Sequence, residues 1–218
     1  MLSRVKMILV GAVFALFVAG CGGGMDDTVK EYNKPALYWY KKIARSISDG
    51  YMDKADAYYI SLKSEHMRSP LLPTAIIMLA HAHMNEEEYQ LANFYLDEYS
   101  KRFGESKNRQ YIEFMKLKAS FLGIKDVYKD QKLIHDTIVQ AETFLKRYPG
   151  SDYQPLVNTV LVRLYMTKYL LNENIAALYE RTGKDKAAKI YRDKNRNSVI
   201  NNSDIKPPEK GIIGTVFD

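Results

Sequence analysis

Apolar residues recur at helical spacing through residues 74–103, on both sides of a short acidic turn. This spacing predicts two amphipathic helices that pack against each other. Ala80 and Ala92 are small residues at positions where two antiparallel helices would approach closely. The apolar positions are Ile77, Leu79 and Ala80 before the turn, and Leu91, Phe94, Tyr95 and Tyr99 after it.

The same helix pair returns elsewhere in altered form. Residues 49–59 and 182–192 both place an alanine about five residues after a turn glycine, and residues 96–106 align without a gap on residues 141–151. A repeated helix pair indicates a solenoid, because each pair buries its apolar face only against its neighbours. The sequence therefore predicts an all-α fold of stacked helix-turn-helix repeats.

The predicted repeat domain covers residues 35–195 and contains four helix pairs. It begins at Pro35, which suits the first turn of a helix. Trp39, Ile43 and Ile47 then share one face of the first helix.

The third and fourth pairs are less regular than the first two. Residues 123–130 interrupt the helical period inside the third pair. Residues 153–183 are long for one helix, which predicts a capping helix or a bend before the last pair ends near Asn195.

Residues 1–20 have the pattern of an export signal. Arg4 and Lys6 precede an uncharged apolar run at residues 7–18, which is shorter than the about 20 residues that a membrane-spanning helix needs. Small residues then precede Cys21, the only cysteine. This arrangement resembles the cleavage motif of bacterial lipoproteins, which implies cleavage before Cys21 and acylation of that residue. The alternative is an ordinary secretory signal followed by an incidental cysteine.

The two ends of the mature chain are predicted to lack regular structure. Residues 21–34 start with three glycines after the cysteine and read as a flexible tether. Residues 196–218 are rich in Asn, Ser and Pro and show no helical period, which favours a loop or disorder. The apolar positions near residues 212–217 either dock on a partner or form a frayed end.

Composition excludes some classes of function. The formal net charge of +6 falls when Arg4 and Lys6 leave with the signal, because 30 basic residues then face 26 acidic ones. This excess is too small and too dispersed to indicate a nucleic-acid partner.

The candidate chemical groups favour a protein without catalysis, metal or cofactor. His81 and His83 are two positions apart on a predicted helix, so they point in different directions and cannot easily share a metal. We expect partly exposed or groove-lining histidines there. The acidic run at residues 86–88 is expected to be a solvated turn before a helix N-terminus. The sequence contains no nucleophile elbow, phosphate loop or Cys/His pairing, and we expect the protein not to be an enzyme.

Several sequence segments together resemble the BamD family of outer-membrane assembly lipoproteins. They are the lipoprotein motif, GYMDKADAYYISL, YQLANFYLDEYSKRF, FLKRYPGSDY and NIAALYERTGKDKAA. The resemblance covers residues 37–192 and implies a tetratricopeptide-like solenoid that is lipid-anchored at the periplasmic face of the cell outer membrane. It also implies binding to the POTRA domains of a BamA-type barrel protein and to unfolded outer-membrane proteins.

The chain departs from the family pattern in places. Family members commonly have a fifth helix pair, where this sequence runs into its Asn- and Pro-rich tail. Tyr191 stands about where the family has a basic residue. A general periplasmic tetratricopeptide adaptor, acting in envelope or division complexes, is the alternative function.

A tetratricopeptide register predicts one binding surface, and the family resemblance implies a second. The first helices of such repeats line the concave face, which predicts a groove for an extended peptide. By resemblance, the last helix pair would meet the BamA-type partner. For both surfaces the alternative is ordinary solvated helix. The groove residues are Tyr40, Ala44, Ser48, Thr74, Ile77, His81 and Asn85, and the partner-binding residues are Glu173, Arg181, Lys184, Lys189 and Arg192.

Overall fold

The computed structural model describes residues 31–104 and 108–198. The predicted signal peptide, Cys21, most of the predicted tether and the tail beyond Ser198 lie outside these residues. The described part is helical, with no strand, which confirms the all-α prediction. Its eight helices are α1 Ala36–Ser48, α2 Met52–Glu65, α3 Leu71–Asn85, α4 Tyr89–Phe103, α5 Arg109–Leu122, α6 Gln131–Arg147, α7 Gln154–Arg181 and α8 Asp185–Arg196.

Consecutive helices form pairs that stack on one another. The closest neighbours are α1 with α2, α3 with α4, and α7 with α8, and contacts of α4 with α5 and of α6 with α7 join successive pairs. Helices α1 and α3, the first helices of the first two pairs, also touch directly. This order of contacts is the one that the repeats in the sequence predict.

Three of the four pairs turn in the same way. The backbone N–H groups of Tyr51, Glu88 and Lys184 each donate to the carbonyl five residues earlier, which is the hydrogen bond of a Schellman turn. The residue before each of these three has a positive φ: 76° at Gly50, 59° at Glu87 and 70° at Gly183. Glycine adopts that backbone readily, whereas Glu87 adopts it with a side chain.

A small residue follows each of these turns at the same interval. Ala55, Ala92 and Ala188 lie five positions after Gly50, Glu87 and Gly183, and are 0%, 0% and 2% exposed. Each sits in the second helix of its pair, where a larger side chain would push the helices apart. The third pair differs, because a loop replaces the turn. In that loop the Asp130 carboxylate accepts from the N–H groups of Lys125 and Asp126.

The main hydrophobic core runs from Trp39 in α1 to Leu164 in the first half of α7. Trp39 and Ile43 are fully buried, as their shared face predicts, and Leu79 and Ala80 are buried in the second pair. Beyond Leu164 the main core ends. The second half of α7 packs on α8 through a separate, smaller set of buried residues.

Residues 153–183 contain one continuous helix of 28 residues, α7, so the capping helix, one of the two alternatives predicted there, is wrong. A second prediction about the helices is also wrong. Leu91 and Phe94 are 43% and 56% exposed, although the spacing predicted them on the apolar face of α4. The buried face of α4 instead lies on Ala92, Tyr95, Leu96, Glu98 and Tyr99. None of the described helices is long and apolar enough to cross a bilayer.

Candidate partner-binding surfaces

The seven predicted groove residues all lie on α1 and α3. Ser48, Thr74 and Asn85 are exposed, and the other four are half-buried. Tyr40 and Ile77 are half-buried because they also pack against the main core. Since α1 and α3 touch each other, the structure brings the seven residues onto two neighbouring helices. We call this the inner surface. Peptide binding there stays a prediction.

His81 connects the inner surface to the third helix pair. Its Nε2 atom lies 2.5 Å from the hydroxyl of Tyr111 in α5, and the two rings stack with centroids 6.1 Å apart. Burial, and after it the charge of Lys118, lowers the pKa of His81. The imidazole is therefore neutral at neutral pH, and it acts as a hydrogen-bonding and stacking group rather than as a cation.

Aromatic rings continue from His81 toward the fourth pair. The ring centroids of Tyr111 and Tyr153 are 6.3 Å apart. Tyr153 in turn stacks on Phe114, with ring centroids 4.4 Å apart. We call His81, Tyr111 and Tyr153 the aromatic row. The contact between His81 and Tyr111 was not predicted from the sequence. No local pattern reveals that link, because the two residues are 30 positions apart.

His83 is buried, not partly exposed as predicted. Its side chain is 1% exposed and lies between two carboxylates, with Nδ1 2.6 Å from Glu88 and Nε2 3.0 Å from Asp56. Tyr95 donates to the same Asp56 oxygen at 2.6 Å, and its ring stacks on His83. This His83 cluster joins α2, α3, the turn after α3 and α4.

Electrostatics favour the charged form of His83. Burial opposes protonation, but hydrogen bonds to Asp56 and Glu88 outweigh burial and raise the pKa of His83. Two carboxylates that both accept require both ring nitrogens to donate, which is the imidazolium form.

The acidic run at residues 86–88 divides into two parts. Glu86 and Glu87 are exposed on the turn, as expected. Glu88 is exposed as well, but its carboxylate also lies 2.6 Å from Nδ1 of His83. Among the described residues, no group of three or more His, Cys, Asp or Glu side chains is arranged to hold a metal ion.

The predicted partner-binding residues all lie on α7, α8 or the turn between them. They differ in whether their side chains are already paired within the protein. Arg181, Lys184 and Lys189 are exposed. Arg192 instead donates to Glu173 at 3.0 Å and to Glu180 at 2.9 Å, so it holds α8 against α7. Exposed apolar side chains lie on the same two helices as the exposed cations: Leu178 is 51% exposed and Ile190 is 57% exposed.

Polar side chains hold the terminal hairpin, which we define as the second half of α7 together with α8. Asn195 is 3% exposed and donates to the carbonyl of Tyr169 and to the carboxylate of Glu173. Its side-chain oxygen accepts from Asn172 at 2.9 Å. This network was not predicted from the sequence, since its polar residues have the pattern of a solvated helix face.

A cavity of about 440 Å³ opens between α4 and α6 above α5. Its cations are already paired within the protein: Arg147 and Arg109 with Glu113, and Lys116 with Asp97. Its walls therefore offer little uncompensated charge to a ligand. No sequence pattern predicted this cavity.

Comparison with known proteins identifies one matching family profile and two similar proteins that share a name. Residues 32–195 match the profile of the family described as YfiO, outer membrane lipoprotein. The chain is 38% identical to the outer membrane protein assembly factor BamD of Helicobacter pylori over 205 residues, which cover 94% of this chain and 93% of that protein. It is 24% identical to the BamD of Caulobacter vibrioides over 152 residues, which cover 69% of this chain and 50% of that protein.

Proposed function

The chain belongs to the BamD (YfiO) family of outer membrane lipoproteins, and we propose that it is the lipid-anchored scaffold subunit of a β-barrel outer-membrane protein assembly complex. The observation that carries this proposal is a likeness to an assembly factor that extends through all four helix pairs. A shared helical repeat alone would support only the fold.

We infer that the inner surface receives unfolded barrel precursors. An extended peptide needs polar partners for its backbone and apolar contacts for its side chains. Ser48, Thr74 and Asn85 are exposed polar groups, and Tyr40 and Ile77 offer the apolar contacts. The aromatic row extends this mixed surface toward the fourth pair.

The terminal hairpin is proposed to dock on the POTRA domains of a BamA-type barrel protein. It is a part of the described chain where exposed cations and exposed apolar side chains lie together on two paired helices. Apolar groups within a rim of charges are typical of protein interfaces. Arg181, Lys184 and Lys189 are the available charges, whereas Arg192 and Glu173 act by fixing the hairpin.

A pull-down tests the assembly role. The tagged, full-length chain is purified in detergent from its own membranes, and the co-purifying proteins are identified by mass spectrometry. We expect a stoichiometric barrel protein with POTRA domains. Cell-wall enzymes without any such barrel would overturn the proposal and support the periplasmic adaptor instead.

Charge reversal tests the docking surface within the same experiment. Replacing Arg181, Lys184 and Lys189 by Glu should reduce recovery of the barrel protein at least about tenfold, because like charges at an interface cost several kcal/mol. Unchanged recovery would place docking elsewhere.

The matched control changes the charge by the same amount on other helices. Lys101, Lys132 and Lys146 are exposed on α4 and α6. Replacing these three by Glu should leave recovery unchanged. An equal loss in the control would mean that net charge, rather than the terminal hairpin, governs the association.

Photo-crosslinking tests the inner surface. A photoreactive residue at Ser48, Thr74 or Asn85 should capture an unfolded barrel precursor. The same residue at Ser64 in α2 or Gln90 in α4, both exposed on second helices, should not. Equal capture at all five positions would contradict a groove on the first helices.

A further inference from the structure

The start of the described chain is hydrogen-bonded to the C-terminal end of α2, the second helix of the first pair. The Glu65 carboxylate, in the last turn of α2, accepts from the backbone N–H groups of Asn33 and Lys34 and from the indole of Trp39. His66 donates to the carbonyl of Lys34 at 2.6 Å. These contacts fix residues 33 and 34 beside the C-terminal end of α2.

Three exposed apolar side chains surround this attachment point. Tyr32 is 71% exposed, Leu37 is 51% exposed in the first turn of α1, and Met67 is 62% exposed just after α2. Tyr32 precedes the fastened residues, and Met67 follows His66 directly. The hydrogen bonds of Glu65 and His66 therefore bring all three side chains to one end of the first helix pair.

Basic side chains border the same end, while its acids are engaged. Lys41 and Arg68 are exposed, and Lys41 lies one helical turn beyond Leu37. Lys34 lies over the ring of Tyr38 at 5.8 Å. The carboxylate of Glu31 is hydrogen-bonded to the hydroxyl of Tyr38, and that of Glu65 points into the attachment. The surface thus offers more positive than negative charge to a partner.

We propose that this end of the first helix pair, opposite the α1–α2 turn, rests on the surface of an anionic lipid bilayer. We define the membrane patch as Tyr32, Leu37, Met67, Lys34, Lys41 and Arg68. Tyrosine suits the boundary between headgroups and acyl chains, and Leu and Met add apolar area there. The long Lys and Arg side chains reach lipid phosphates while their stems cover apolar surface.

The position of the predicted anchor argues for a bilayer rather than a protein as the occupant. The inference rests on that part of the proposed function, the lipidation of Cys21. Cys21 and Tyr32 are 11 positions apart. Fully extended, that length spans at most about 40 Å. The patch is therefore held near the bilayer, where a contact too weak to hold a free protein is repeatedly formed because of its high local concentration.

The bilayer contact also sets an orientation. Helix α1 has 13 residues, so the two ends of the first hairpin are about 20 Å apart. Contact through the membrane patch turns the start of α1 toward the lipid and directs the α1–α2 turn at Gly50 away from it.

Fluorescence quenching in vesicles tests the contact. The lipidated full-length mature chain is reconstituted into vesicles of phosphatidylcholine and phosphatidylglycerol with a nitroxide on the lipid headgroup. A fluorophore is attached to Ser64→Cys, one turn before Met67. The matched control is Ser48→Cys, an exposed serine at the other end of the same hairpin. Lipidation occupies the thiol of Cys21, so only the introduced cysteine is labelled.

We expect quenching several-fold stronger at position 64 than at position 48. Adding Tyr32→Ser, Leu37→Ser and Met67→Ser should remove that difference, whereas Phe94→Ser, an equally exposed apolar residue on α4, should preserve it. All four replaced side chains are more than half exposed, so the fold should be unaffected, and circular dichroism checks this.

Three results would overturn the inference in distinguishable ways. Equal quenching at both positions is the outcome expected if a protein covers the patch, and it removes the bilayer contact alone. A difference that survives the triple substitution removes the assignment to these side chains. A chain that fails to float with the vesicles removes the anchor as well, while the assembly role is judged separately by the pull-down.

Discussion

His83 joins the first two helix pairs through charge. Asp56 comes from α2, Glu88 from the turn after α3, and Tyr95 from α4. A buried imidazolium between two carboxylates is sensitive to the loss of its proton, because a neutral ring can donate to only one of them. The sequence could not predict this cluster, since Asp56 lies 27 positions from His83.

The stability of the fold should depend on pH through His83. A raised pKa means that the folded state binds the proton more tightly than the unfolded state, whose histidine pKa is about 6.5. The stabilisation is fully present below about pH 6.5 and is lost as pH rises through the folded-state pKa. Urea unfolding of wild type and His83→Gln between pH 5 and about 9 measures it. The difference in unfolding free energy between the two proteins should shrink as pH rises.

His81 provides the opposite control. Its pKa is lowered in the folded state, so its contribution is present above the unfolded pKa and is lost as pH falls. The difference between wild type and His81→Gln should therefore grow with pH, where the His83→Gln difference shrinks. Parallel curves for the two variants would contradict the assignment of charge to His83 alone.

At the scale of elements, the turns were more predictable than the partners of the helices. Gly50 and Gly183 predicted two of the turns, because a glycine there is a local signal. Glu87 adopts the same backbone without such a signal. The repeat register placed the seven predicted groove residues on first helices, and peptide binding there stays a prediction. The aromatic row depends on contacts between pairs, which the register does not give.

The terminal hairpin differs from the other pairs in what holds it. Its buried Asn172 and Asn195 bond to each other, and Asn195 also bonds to the backbone of α7. Because α8 packs mainly on α7, loss of this network should release α8 without unfolding the main core. We therefore expect the hairpin to open more readily than the helix pairs that share the main core.

Asn195→Ala should loosen α8 locally. The substitution removes three hydrogen bonds and leaves Asn172 and Glu173 without this partner, at a cost of about 1–3 kcal/mol. Hydrogen exchange followed by mass spectrometry should show faster exchange in α8 and unchanged exchange in α1–α4. Lys186→Ala, an exposed change on the same helix, is the control and should exchange like wild type. Acceleration throughout the chain would show instead that the hairpin supports the whole stack.

For the molecule as a whole, repetition made the fold predictable. A helix pair that recurs constrains every copy, so the all-α solenoid followed from four imperfect repeats even where single residues were misplaced. The anchor at Cys21 rests on a local motif of another kind. It lies outside the described residues and stays a prediction.

Cys21→Ser should leave a folded protein in the wrong place. The substitution removes the acceptor for the lipid but no contact of the described helices. We expect unchanged circular dichroism and a shift from the membrane to the soluble fraction on fractionation of cells. A variant that stays in the outer membrane would show that partners or the membrane patch hold the protein there without lipid.

Trp39 is the only tryptophan, and it is fully buried in α1. Its emission therefore reports on the part of the main core around α1, whereas circular dichroism sums over all the helices. Stacked repeats can lose their pairs in sequence rather than together. Release of the terminal hairpin is silent in fluorescence, so midpoints of the two signals will separate whenever unfolding starts at α8. Coincident midpoints would mark the stack as one cooperative unit.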